Sequence, residues 1–263
     1  METYQLIDWY AKDEKSENYT KAYTIYGMGL SLDNQSVAVK ITGFEPFFYA
    51  SIPDNWSDKS CKKFIQEVKK YKYKTKKGNE IIEELSIKHY IAKEITGITL
   101  EHKCKFEGFT DNMKYKFMKL TFRTQNASRT YARTIKRMVD ENPELKGIKL
   151  YESTLDPMLR FFHLKDIKPS GFIELDTDEM VEPDFKAFDT DHEYCLEWND
   201  IKAIDSIKNA PMLIASYDIE CDSAHGDFPL AKKDMRKLDK TYECKFYKHT
   251  LNAFQIVMSP VVI

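Results

Sequence analysis

No run of apolar residues in this 263-residue chain is long enough to cross a bilayer. Its first residues, Met1-Glu-Thr-Tyr-Gln5, also lack the basic and then apolar stretches of an export signal. No membrane partner is therefore expected. Cysteine is sparse, with five residues, at positions 61, 104, 195, 221 and 244. An odd, scattered set argues against a disulfide framework and for reduced thiols in an intracellular, reducing setting. Zinc-finger spacing is missing as well. Cys221-x₃-His225 and Cys244-x₄-His249 match no standard pattern, and Cys221 continues an acidic motif, so no zinc site is expected. Net charge, at −2, is close to nil and identifies no partner. It conceals an asymmetry, however. Met113 to Lys149 carries ten Lys/Arg against three Asp/Glu, whereas Glu174 to Asp200 carries eleven acids against one lysine.

What the chain does contain is ample apolar and aromatic material for one large domain or two modest ones. The most informative stretch is Pro211-Met-Leu-Ile-Ala-Ser-Tyr-Asp218-Ile-Glu220-Cys-Asp222. A short apolar run bounded by proline reads as a strand buried on both faces, although periodicity alone leaves a buried helix open. On a strand, positions i and i+2 share a face about 6–7 Å apart. Asp218 and Glu220 then project side by side and repel each other unless a cation lies between them. Their hard oxygen donors suit Mg²⁺ or Mn²⁺.

Upstream, alternation and turn residues predict strands at Gln5–Trp9, Ala22–Tyr26 and Ser36–Ile41, with a hairpin turn at Asp33-Asn34. Gly43-Phe-Glu-Pro-Phe-Phe-Tyr49 crowds four aromatics around a proline. Core is the favoured reading, because a base-stacking platform needs exposed rings beside cations. From Asp58 the period changes to that of a helix capped by Ser60, with Cys61, Phe64, Ile65 and Val68 inward. Lys72 to Lys77 reads as a basic loop, and Glu80 to Gly97 fits either helix or strand.

Met113 to Thr124 reads as a strand whose phase slips at Phe117-Met118, as a β-bulge produces. Ser128 is then expected to cap a second helix, with Tyr131, Ile135, Met138 and Val139 inward and Arg129, Arg133, Lys136 and Arg137 outward. Gly147 to Tyr151 follows as a strand. Residues 36–151 thus read as an α+β layer of the split β-α-β kind. The four outward cations are the candidate nucleic-acid contacts, weighed against an ordinary solvated helix face.

Three segments carry a resemblance to a known family. Tyr151-Glu-Ser, Pro157, Leu159-Arg160-Phe161 and Gly171-Phe-Ile173 resemble the segment before the exonuclease of delta-like family B DNA polymerases, including those of large DNA viruses. Ile41-Thr-Gly-Phe-Glu-Pro-Phe-Phe-Tyr49 is similar to that family's Gly-Phe-x-Pro-Tyr-Phe-Tyr segment. Ala215-Ser-Tyr-Asp-Ile-Glu-Cys221 with Gly226-Asp-Phe-Pro229 resembles its first exonuclease motif and the hairpin after it. The resemblance implies a DNA-directed DNA polymerase of replication with a 3′→5′ proofreading exonuclease, acting on primer-template DNA and a single-stranded 3′ end. It also implies a nuclear or viral replication site. Asp218 and Glu220 are then catalytic metal ligands for Mg²⁺ or Mn²⁺. Arg160 is expected to be an ion-paired structural residue.

The domain expectation is a polymerase N-terminal domain over residues 1–205, with 151–205 as interdomain segment. The opening strands of an incomplete ribonuclease-H-like exonuclease follow over 206–263. The family's later motifs, Asn-x-x-x-Phe-Asp and Tyr-x-x-x-Asp, do not occur between Cys221 and Ile263. Asp189-Thr-Asp191 matches the palm tripeptide but falls in the acidic stretch ahead of the exonuclease motif. The apolar ending Pro260-Val-Val-Ile263 is abrupt where a complete domain usually has a polar tail, and the remainder of the polymerase, as a separate chain, is a candidate partner. The expectation is a fragment inactive by itself; the alternative is a free-standing nucleic-acid-binding module without catalysis.

Overall fold

The computed structural model describes residues 2–15, 20–77, 80–105, 107–176, 187–206 and 208–212. The first elements are β1 (Glu2–Lys15), β2 (Lys21–Ser31), β3 (Ser36–Thr42), β4 (Phe47–Ser51) and helix α1 (Asp58–Lys70). After them come β5 (Lys72–Lys77), β6 (Glu80–Ser86), α2 (His89–Ala92), β7 (Ile95–Cys104), β8 (Lys114–Phe122) and α3 (Gln125–Glu141). The described part closes with β9 (Leu150–Tyr151), α4 (Pro157–Lys165), β10 (Phe172–Leu175), β11 (His192–Glu197) and β12 (Lys202–Ile204). The fold is mixed and strand-rich, with its described residues in the compact unit Met1–Leu213.

Two sheets organise it. In the first the strand order is β11-β3-β2-β1-β10-β12, and only β11 and β3 run parallel. Its core gathers Leu6, Tyr23, Ile25, Val39, Ile41 and Ile173 against Phe161 and Phe162 of α4. The second sheet has the order β7-β8-β4-β9, antiparallel throughout. Chain order β4-α1-β7-β8-α3-β9 over that spatial order is the split β-α-β arrangement. It begins at β4 rather than at residue 36, because β3 joins the first sheet. Both helices bury one face against it: Cys61, Phe64, Ile65 and Val68 of α1, and Tyr131, Ile135 and Met138 of α3, pack on Phe48, Met118, Leu120 and Phe122. Burial pushes the Cys61 thiol up, which leaves it a packing residue rather than a nucleophile.

Several local expectations need correction. The α1 cap is Ser57, whose hydroxyl accepts from the Ser60 N–H, while Ser60 answers as the third residue of a capping box. Helix α3 begins three residues before Ser128. Thr124 caps it by accepting from the Ala127 N–H at 3.1 Å, and Ser128 is buried one turn inside. Strand β8 does not slip at Phe117-Met118, since its register with β4 is continuous from Thr121 to Phe117. Both residues are buried because both faces are covered there: Met118 faces the helices, and Phe117 meets Tyr49 and Tyr151 on the other side. The irregularity lies on the partner, between Ile95 and Gly97 of β7. Lys72–Lys77 is a strand, paired with β6 in a register that sets Lys74 opposite Glu84 and Lys77 opposite Glu80. Asp33-Asn34 does turn the β2–β3 hairpin, with Asn34 at φ 65° in the left-handed region that asparagine tolerates.

The layers are tied together by the backbone. The Tyr23 N–H donates to the Arg123 carbonyl at 2.8 Å, and the Phe122 N–H donates to the Pro46 carbonyl at 2.8 Å. Asp13 of β1 reaches across to α3, accepting from the Gln125 and Asn126 N–H groups at 2.8 and 2.9 Å. A carboxylate on two orphan amides at the positive end of a helix stabilises it. Asp13→Ala is expected to cost about 1–2 kcal/mol in urea unfolding. An unchanged midpoint would show that water replaces the carboxylate at no cost.

Candidate nucleic-acid interface

The four cations singled out on α3 separate into two groups. Arg129, Arg133 and Lys136 recur at i, i+4 and i+7 on the exposed side and line one wall of a groove of about 770 Å³. The opposite wall comes from Ile148 to Leu150 and Ser153 to Pro157, the stretch that contains Tyr151-Glu-Ser. Lys149 adds a fourth cation, and Asp140 and Asp156 are the acids present. Asp156 is already engaged as the α4 N-cap, accepting from the Met158 N–H at 2.8 Å, with Pro157 at the first helical position. None of Arg129, Arg133 and Lys136 takes part in an ion pair found among the described residues. Arg137 is exposed but lies outside this wall, near enough to Tyr71 for its charge to act on that hydroxyl.

Tyr23 is fully buried, and burial, then the charges of Asp156 and Asp13, push its hydroxyl up, while Arg129 pulls the other way. The row of cations on the helix flank gives this surface an excess of positive charge. The Lys149, Ser153 and Thr154 contributions were not anticipated. Their signal was position, since they flank the Tyr151-Glu-Ser motif opposite a basic helix.

The aromatic cluster at Gly43–Tyr49 is core: Phe44, Phe48 and Tyr49 are buried. On the sheet face away from the helices the rings are also roofed by cations, Lys103 lying 5.1 Å from the Tyr49 ring and Lys119 4.2 Å from that of Phe47. Arg160 sits 5.0 Å from Phe47 and is ion-paired to Glu152, the structural role expected of it. Asp191 accepts from the Ser36 N–H and hydroxyl at 2.7 and 2.8 Å, so the Asp189-Thr-Asp191 tripeptide has a structural partner.

Among the described residues no group of three or more His, Cys, Asp or Glu could hold a metal, and no helix is long and apolar enough to span a membrane. Asp218 and Glu220 lie outside the described residues, as do Cys221, His225, Cys244 and His249.

Comparison with known proteins fits this geometry. The solved family B DNA polymerase of the hyperthermophilic archaeon Pyrobaculum calidifontis shares the fold, with a TM-score of 0.52 at 14% identity over 80% of this chain and 21% of that one. The likeness is one of fold, to a region of that polymerase. Residues 148–237 match the family model for the exonuclease domain of DNA polymerase family B. The chain is 29% identical over 245 residues to the DNA polymerase of Acanthamoeba polyphaga mimivirus, covering 89% of this chain and 13% of that protein. It is 23% identical over 226 residues to the DNA polymerase delta catalytic subunit of Drosophila melanogaster, covering 78% of this chain and 19% of that one. The chain belongs to the family B DNA polymerases and corresponds to their N-terminal and exonuclease region, a minor fraction of the length of these relatives.

Proposed function

We propose that this chain is the DNA-guiding front end of a replicative, proofreading DNA polymerase. On this reading the α3 groove holds single-stranded DNA by its backbone. The supporting observation is the convergence of Arg129, Arg133 and Lys136 with Lys149 on one groove, four cations against the two acids Asp140 and Asp156, of which Asp156 is engaged by a backbone amide. Cations at this spacing supply the salt-sensitive, sequence-independent part of nucleic-acid affinity.

Residues 1–205 form the N-terminal domain with its interdomain segment, and residues 206–263 open a ribonuclease-H-like exonuclease domain. Asp218 and Glu220 offer carboxylate oxygens alone, a donor set suited to Mg²⁺ or Mn²⁺, and in the complete enzyme they hold such ions. The metals supply activation of water and stabilisation of the departing oxygen. These two acids are half of the ligand set, so the 263-residue chain binds DNA without cutting it.

Two measurements test the reading. The purified chain is expected to bind oligothymidylate with an affinity that falls steeply as salt rises, and salt-independent binding would remove the groove from consideration. In Mg²⁺ it is expected to leave a labelled single strand intact. Degradation abolished by Asp218→Ala would show that the chain completes its own metal site.

A further inference from the structure

A second groove adjoins the first at the start of α3. It measures about 480 Å³ and is lined by Lys15, Lys21, Tyr90, Lys93 and Arg123, with His89 at its edge. Its two carboxylates are engaged elsewhere: Asp13 accepts from the amides of Gln125 and Asn126, and Glu94 accepts from the Thr124 hydroxyl. Four permanent cations therefore line it against two carboxylates, which leaves the lining net positive. The N-terminus of α3 contributes no anion site, because Asp13 already occupies it.

The second observation is Tyr90. It is 59% exposed at the start of α2, and among the described residues no ring or cation stacks on it. This sets it apart from Phe47 and Tyr49, whose faces are covered by Lys119, Arg160 and Lys103. An open ring beside lysine and arginine is what a base-stacking platform requires. Its anchor is firm, since Ile91 beside it is buried in the helix–sheet core, and the Tyr131 hydroxyl donates to the Ala92 carbonyl at 3.2 Å.

The two grooves share one rim. Gln125 lines the first, while Thr124 and Asn126 line the second. We propose that a single DNA strand leaving the α3 groove rounds this rim and continues through the second groove, where Lys21, Lys93 and Arg123 take phosphates and Tyr90 stacks on a base. This inference rests on the reading of the α3 groove as a single-strand site and extends it to a second, separately testable contact. The open ring favours an unpaired strand over an acidic peptide or a duplex, whose bases are already stacked.

The test uses the full 263-residue chain with oligothymidylates of about 6 and about 20 nucleotides, lengths bracketing one single-strand site. Neutralising Lys21, Lys93 and Arg123 together to Gln is expected to lower the log-affinity against log-salt slope for the long oligonucleotide by roughly 2, and to affect the short one far less. Tyr90→Ala is expected to weaken the long oligonucleotide about tenfold, and Tyr90→Phe to retain affinity because the ring remains. Independently of any variant's folding, photocrosslinking of iododeoxyuridine DNA to the unmodified chain is expected to mark Tyr90. Wild-type affinity in the neutralised and Tyr90→Ala chains, or crosslinks confined to α3 and residues 148–157, would overturn the second contact and leave the first standing. An unmodified chain that binds neither oligonucleotide would overturn both.

Discussion

Arg129→Glu, Arg133→Glu and Lys136→Glu, made together, are expected to weaken binding of a single strand by ~100-fold or more at 0.1 M salt. The figure follows from counterion release. Each phosphate contact on a single strand contributes about 0.7 to the log–log salt slope, so three lost contacts remove about two decades at that salt concentration. Reversal adds repulsion to that loss. The three side chains are exposed and sit opposite the face that packs on Phe122 and Leu120, so the unfolding midpoint is expected to stay within about 0.5 kcal/mol of wild type. Arg137→Glu is the internal control. It carries the same charge change on the same helix but lies outside the groove wall, and is expected to cost little affinity. Equal losses for Arg137→Glu and for each groove residue would point to diffuse attraction by a basic helix rather than to a groove. Fluorescence anisotropy at several salt concentrations separates the two outcomes.

That separation of Arg137 from its neighbours was not available from the sequence. Helical periodicity put all four cations outward, and all four are exposed. Which of them share a wall depends on where residues 148–157 pass, and that depends on β9 pairing with β4, a contact between positions about a hundred residues apart. The inward face of α1 was legible to the residue, because Cys61, Phe64, Ile65 and Val68 follow one period and bury together. Helix starts were less so. Ser, Thr and Asp compete for the cap wherever they cluster, and the winner is set by which N–H groups tertiary packing leaves unpaired. Thr124 prevailed over Ser128 at α3 because Asp13, from the other sheet, takes the next two amides. Consecutive buried residues in β8 imitated a bulge because both faces of that strand are covered, whereas alternation presumes one wet face. Helix α4 was missed although Asp156-Pro157 is a cap followed by a first-turn proline. The apolar residues of that segment equally suit an interdomain seam, which is why the cap signal does not stand out.

The larger structural effect is expected from a glycine whose importance is invisible in its local sequence. Gly29 pairs with Leu6 across β1 and β2, beside the irregularity between Leu6 and Asp8. A β-carbon at Gly29 would lie 2.7 Å from the Gln5 carbonyl carbon and 2.8 Å from the Leu6 α-carbon, and closer still to the Gln5 oxygen. These are backbone atoms, so no side-chain rotation relieves the clash. β1 cannot retreat either, because β10 holds its other edge through Tyr4–Ile173 and Gln5–Phe172. Gly29→Ala is therefore expected to open the central ladder of the six-stranded sheet at a cost of about 3 kcal/mol. Gly147→Ala is the matched control: nothing lies within 4 Å of its β-carbon position, and the change is expected to be neutral or to stabilise by about 0.5 kcal/mol. The damage at Gly29 should also travel. Gln5 is buried, donates to the Ser170 carbonyl at 2.9 Å and accepts from the Ala210 N–H at 2.8 Å, and so ties down the residues that lead toward Asp218. Hydrogen exchange in Gly29→Ala is expected to rise at Ala210 together with β1 and β2, while the amides of α3 keep their protection. Exchange rising equally in α3 would mean that the two sheets unfold as one unit. Unchanged exchange at Ala210 would mean that Gln5 keeps its grip after the strand beside it has moved.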